Sequence, residues 1–248
     1  MRKKIKFDQV RQLFDIEKIR EYCTSPSEFF FDQGKVKKIS ADEYSHRERF
    51  LIHKDNDSPI LAVAHLDTVA MYRPEELDFN LFRVEQDQGF STIVQSPNMD
   101  DRMGAYILLE ILPKLGINAD ILLCDTEEIG MSTAADFYTK KQYNWLFEFD
   151  RAGTDVVMYQ YEDDTTRKLL EDNNFIVAQG AFSDICELER LGVKAFNFGT
   201  GYYRAHTNEC FANLDDCAFM VSQFANFYHK LKDIKLPHQI KRSEPLDY

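Results

Sequence analysis

Residues 60–64 read Ile-Leu-Ala-Val-Ala, with no polar break. A short continuous apolar run of this kind suits a strand buried on both faces. Similar runs at 119–124, 145–149 and 194–198 predict further strands, and 155–161 predicts another. Between them the period changes. Met103, Tyr106, Ile107, Ile111 and Leu115 fall on one helical face over 102–115, with Asp101 placed to cap the start and Gly116 to stop the end. Helices are also expected near 132–141, 165–173 and 183–191. The clearest runs from Leu214 through Cys217, Ala218, Val221, Phe224, Ala225 and Tyr228 to Leu231. Asn213 is its N-cap, and Asp215 and Asp216 lie in its first turn.

Other segments are less periodic. Residues 7–23 carry Val10, Leu13, Phe14, Ile16, Ile19 and Tyr22 on an imperfect stripe that fits one helix or two short ones, ended by Ser25-Pro26-Ser27. Segment 28–55 reads as strands and turns, and 81–95 as a hairpin around Gln88-Gly89. The tail from Pro237 is polar and expected to fray. Apolar strands alternating with helices predict an α/β fold: a mostly parallel twisted central sheet with helices on both faces.

The 248 residues suit a single domain, 1–248, and 44% hydrophobic with 29% charged residues excludes disorder and a membrane bundle. The charge, 30 − 42 = −12, argues against nucleic-acid binding, which needs clustered Lys and Arg, and against an anionic membrane surface. Cys23, Cys124, Cys186, Cys210 and Cys217 form no CxxC pair, and their odd number suits free thiols in a reducing compartment. The basic start is followed by Asp8, Gln9 and Arg11 rather than an apolar stretch, so a cytoplasmic protein without a secretory signal is expected.

The chemistry collects where the apolar runs end. His65-Leu66-Asp67 follows the first, Asp125-Thr126-Glu127-Glu128 the second and Asp150 the third; the fourth leads through a glycine turn to His206. Asp100-Asp101 stands just before a helix. Ligands of open α/β sheets bind outside the carboxyl ends of the strands, so parallel strands would gather these groups on one edge. Crowded carboxylates repel and take up protons unless cations neutralise them. Mixed His and carboxylate suits zinc, with cobalt or manganese compatible. Taken singly, each element has a plainer explanation as a surface pair, a helix start, a turn or a loop cap. The ordered set is what carries the reading. His46, His53, His229 and His238 lack such context. Gly199-Thr200-Gly201 is no dinucleotide fingerprint, because Arg204 stands where the third glycine belongs.

The segments AHLDTV (64–69), MDDRMG (99–104), DTEEIG (125–130), FEFDRAG (147–153) and SDICELERLGVKAFNFGTGYYRAHTNE (183–209) come in an order that resembles the co-catalytic dizinc exopeptidase superfamily. That group includes peptidase T, carboxypeptidase G, aminoacylase and the zinc aminopeptidases. The resemblance implies two divalent ions, most readily zinc. One would be held by His65, Asp100 and Asp150, the other by Asp100, Glu128 and His206, with Asp100 bridging. It implies that Asp67 orients the His65 imidazole, that Glu127 is the general base, and that the Asp100–Asp101 peptide is cis. Near the end of the set, Gly201 and Tyr203 belong to a loop suited to close substrate approach. Arg204 there either clamps a substrate carboxylate or neutralises acidic neighbours. Ser183-Asp184 are candidates for support behind the site.

Many relatives insert a second, lid-like domain after the segment matching Asp150. Only 206 − 150 = 56 positions lead from Asp150 to His206 here, so no lid and no lid-mediated dimer is expected, and the oligomeric state stays open. The expected activity is exopeptidase action on small peptides, aminopeptidase first. An N-acyl-amino-acid deacylase or carboxypeptidase is the nearest alternative. A two-metal phosphoesterase and a non-catalytic peptide-binding descendant are the readings from other classes.

Overall fold

A computed structural model describes residues 4–41, 47–86 and 91–240. The imperfect N-terminal stripe resolves into two helices, α1 (Phe7–Arg11) and α2 (Ile16–Thr24). Asp15 separates them, since its carboxylate caps α2 by accepting from the Glu17 and Lys18 N–H groups at 3.0 and 3.2 Å. The chain continues through β1 (Lys35–Ile39), β2 (Arg49–Lys54), β3 (Ile60–His65), α3 (Val69–Tyr72), β4 (Arg83–Gln86) and β5 (Thr92–Gln95). Then come α4 (Met99–Tyr106), β6 (Asp120–Cys124), β7 (Trp145–Arg151), β8 (Val156–Val157) and α5 (Asp164–Glu171). The last elements are β9 (Ala195–Gly199), β10 (Tyr202–Tyr203), β11 (Phe211–Asn213) and α6 (Leu214–Leu231).

Seven strands form one mixed sheet in the order β1-β2-β6-β3-β7-β9-β8. Its inner four, β6, β3, β7 and β9, are parallel, and these are the continuous apolar runs. The outer strands pair antiparallel. Alternation along β7 separates two environments. Trp145, Phe147 and Phe149 meet Phe224 of α6 with ring centroids 6.3, 4.4 and 5.0 Å away. Glu148, on the opposite face, receives the Ser183 hydroxyl at the start of the helical turns Asp184–Leu191. Helices α4 and α6 thus cover one face. The other is covered by tighter 3₁₀ turns.

Several expected boundaries move. The helix expected at 132–141 is one 3₁₀ turn, Thr133–Asp136, and 183–191 is also 3₁₀. The strand expected at 155–161 pairs only at Val156–Val157. Helix 102–115 passes from α4 through a π-helical stretch, Ile107–Ile111, into a 3₁₀ turn ended by Gly116 at φ +70°. Asp101 caps it as expected, by accepting from the Gly104 N–H at 3.1 Å. Segment 81–95 supplies the hairpin strands β4 and β5; its expected turn at Gln88-Gly89 lies outside the described residues. Those strands join β10 and β11 in a second, antiparallel four-stranded sheet, β10-β11-β5-β4, which the sequence pattern does not announce. Of the tail expected to fray, Pro237 pairs with Val193 and the His238 N–H donates to the Gly192 carbonyl, while 241–248 lies outside the described residues. No helix among the described residues is long and apolar enough to cross a membrane.

Candidate functional site

The carboxyl ends of β3, β6 and β7 deliver His65, the Asp125–Glu128 turn and Asp150 to one edge. His65 is fully buried. Its Nδ1 lies 2.9 Å from the Asp67 carbonyl oxygen, which can only accept, so Nδ1 carries the proton. Nε2 faces Asp100 Oδ1 at 3.3 Å, Asp150 Oδ1 at 3.5 Å and Glu127 Oε2 at 3.8 Å. That buried nitrogen has no hydrogen-bond partner. A lone pair aimed at carboxylates is repulsive unless a proton or a cation lies between them.

A second group adjoins the first. His206 Nε2 lies 3.2 Å from Asp100 Oδ2 and 3.0 Å from Glu128 Oε2. The Glu128 carboxylate is steadied by the Val69 N–H at the start of α3, 3.2 Å away. His65, Asp100 and Asp150 form one cluster whose ligand atoms all lie within 4.8 Å of one another; Asp100, Glu128 and His206 form another. The structure therefore brings together all five residues expected to hold ions, with Asp100 in both clusters. The donor set, three groups each with an orphaned imidazole nitrogen in one, fits a divalent ion.

Local backbone features aim these groups. The Asp100–Asp101 peptide is cis. Thr126 adopts φ +64°, breaking β6 into the 3₁₀ turn Glu127–Ile129, so adjacent glutamates face different partners. Asp150 lies where β7 slips register against β9. There the Asn197 side chain replaces the ladder, accepting from the Asp150 N–H at 3.0 Å and donating to its carbonyl at 3.2 Å.

The electrostatics are those of buried acids. Burial pushes Glu127 up to about 10, opposed by His65 and reinforced by Asp150, Asp184 and Asp100. Hydrogen bonds to Asp100 and Glu128 lift His206 to about 10. Burial also raises Asp101, Glu148 and Asp150, with neighbouring carboxylates adding to it. Divalent charge at this edge would reverse these shifts.

Other expected residues take different places. Asp67 meets His65 through its carbonyl; its carboxylate is 3.5 Å from the ring and instead accepts from the N–H groups of Glu127 and Glu128. The expected orienting carboxylate is thus engaged with the turn that carries the glutamates. Gly201 is buried against α6: at φ +83°, an added Cβ would sit 2.5 Å from the Cys217 nitrogen. Its N–H donates to the Gly153 carbonyl and its carbonyl accepts from the Asn213 N–H. Tyr203 is also tied inward, donating to Asp216 at 2.7 Å and stacking on Phe211. Arg204 is exposed and lines a groove of about 340 Å³ with Glu85, Glu209 and Phe211. Ser183 and Asp184 stand behind the site, bonded to Glu148 and Ser132.

Sequence reasoning missed Glu148, Asn197, Tyr72 and Arg47. Glu148 had a signal, a lone charge inside an apolar strand. The other three act through tertiary contacts that spacing does not reveal.

No protein-family model matches the chain, and no curated protein matches it. Its fold recurs among solved structures. A tripeptidase from Staphylococcus aureus aligns with TM-score 0.56 at 10% identity, over 90% of this chain and 98% of that one. Aminopeptidase PepT from Bacillus cereus aligns with TM-score 0.54 at 11% identity, over 90% and 98%. The TET1 peptidase of Pyrococcus horikoshii, which can assemble into a tetrahedron or a large octahedral shell, gives 0.53 at 13%, over 86% and 98%. The chain has the α/β fold of these peptidases.

Proposed function

We propose that this chain is a dinuclear metallo-exopeptidase acting on small peptides, an aminopeptidase first. The observation that carries this reading is the pair of ligand clusters sharing Asp100, with the Glu127 carboxylate beside them and in neither. His65, Asp100 and Asp150 would hold one divalent ion, and Asp100, Glu128 and His206 the other, zinc by donor type. Such ions lower the pKa of a bound water and polarise the scissile carbonyl. Glu127 accepts the water proton as the hydroxyl oxygen bonds to carbonyl carbon. It then delivers that proton to the amine as the C–N bond breaks. The tripeptidase and aminopeptidase names of the structural neighbours support the substrate class.

Glu127→Gln is expected to lower turnover of aminoacyl amides by about 10²–10⁴-fold while metal content by elemental analysis stays unchanged. Full turnover by this variant would overturn the assignment. Exposed Arg204, two residues before His206, favours a second reading: a deacylase or carboxypeptidase gripping a substrate carboxylate. Faster hydrolysis of N-acetyl amino acids than of aminoacyl amides would select it.

A further inference from the structure

The Asp67 carboxylate approaches the His65 ring to 3.5 Å but makes its hydrogen bonds elsewhere. Its Oδ1 accepts from the Glu127 N–H at 3.2 Å, and its Oδ2 from the Glu128 N–H at 3.1 Å. Tyr72, at the end of α3, donates its hydroxyl to Oδ2 at 3.1 Å. Arg47 in turn donates to the Tyr72 oxygen at 3.2 Å and to Asp125 at 2.5 Å, on the residue that opens the glutamate turn. His65, by contrast, is held through the Asp67 main chain, a bond that no side-chain substitution at 67 removes.

We infer that the Asp67 carboxylate, held by Tyr72 and Arg47, is a buckle that positions the Glu127–Glu128 backbone and so governs the Asp100–Glu128–His206 cluster rather than the His65 cluster. Tyr72 and Arg47 are positioning residues in this scheme. The Asp67 bond to the Glu127 N–H fixes the Thr126–Glu127 peptide, and its bond to the Glu128 N–H fixes the peptide plane between the glutamates. That plane decides whether Glu128 faces His206 while Glu127 stays free. The α3 segment contributes twice, through the Tyr72 hydroxyl and through the Val69 N–H on Glu128. Losing the Tyr72 or Arg47 end lets the turn shift while the Asp67 main chain still holds His65.

This inference rests on the dinuclear reading, and its test separates the two. Metal-free full-length protein is titrated stepwise with zinc by calorimetry, and His206→Ala identifies which binding step depends on the Glu128 cluster. Tyr72→Phe removes only the hydroxyl, and Asp67→Asn replaces one acceptor oxygen. Each is expected to weaken that step by roughly 10–100-fold, the usual effect of losing a group that orients a ligand, and to leave the other step unchanged. Weakening of the His65 step instead, equal weakening of both, or no change at either overturns the inference. If the wild-type protein takes up no zinc, the dinuclear reading fails on its own. The buckle is then read from amide hydrogen exchange at Glu127 and Glu128: faster exchange in Tyr72→Phe supports it, and unchanged rates overturn it.

Discussion

Asp150 owes its position to a neighbour that no ligand would touch. Its backbone is out of register with β9, and a slipped strand leaves an N–H and a carbonyl to be satisfied. Asn197 supplies both partners from one amide and gives its other hydrogen to the Tyr159 hydroxyl at 2.9 Å. Asn197→Ala is therefore expected to cost about 1–3 kcal/mol in urea unfolding, the usual penalty for orphaned buried polar groups, and to lower turnover as Asp150 drifts. A variant as stable and active as wild type would show that the slip is held by other means. Gly104 has a comparable constraint: an added Cβ would stand 2.1 Å from Asp101 Oδ1. The glycine of MDDRMG thus makes room for the capping carboxylate, a reason the motif spelling alone does not give.

Elements were legible where one physical requirement dominated. The four parallel strands are mainly apolar and buried because both faces are covered, and α6 combines a strict helical period with a capping Asn213 that accepts from Asp215 N–H at 3.0 Å. The small sheet was half legible: its hairpin β4–β5 was expected over 81–95, but β10 and β11 span only two and three residues. The 3₁₀ segments were misjudged because apolar spacing cannot separate 3.0 from 3.6 residues per turn over so short a run. Helix α5 shows how a cap joins local and tertiary structure. Asp163 accepts from the Thr166 N–H at 2.7 Å and from Lys194 Nζ at 2.5 Å, next to β9. Burial tends to raise its pKa, but Lys194 and Thr166 prevail and hold it down to about 2. Its contribution is thus complete above the ordinary carboxylate range near 3.8 and is lost as pH falls through about 2. Asp163→Ala is expected to cost about 1 kcal/mol at pH 7, with the difference from wild type shrinking toward pH 2 in unfolding measurements. A pH-independent difference would contradict this account.

On the scale of the molecule, one edge of the sheet concentrates acids that the rest of the fold buries. Asp67, Asp101, Asp125 and Glu148 are fully buried, and Asp184 nearly so. The order of these groups along the chain was readable because strand ends project to one side. Which main-chain groups hold them was not readable, because that depends on how turns meet in space. A folded state that confines so many carboxylates is expected to gain stability from divalent ions. Zinc should raise the thermal midpoint of metal-free protein, through a gain in unfolding free energy of about 2.7 kcal/mol for each site filled at a hundredfold excess over its Kd. A midpoint indifferent to zinc would argue against any ion at this edge.

The two imidazoles differ in one respect: the His65 side chain has no solvent exposure, whereas that of His206 is 51% exposed. His206 also stands on a loop at φ +64°, outside any strand. A ligand that water can reach is one that a competing chelator can reach, so two ions held as proposed would leave at different rates. The His206 side would open first, and a protein caught midway through exchange would hold its remaining ion under His65. Such a chain could carry two different metals at once, the slowly exchanging one set when the protein folds and the other by what the surrounding solution offers.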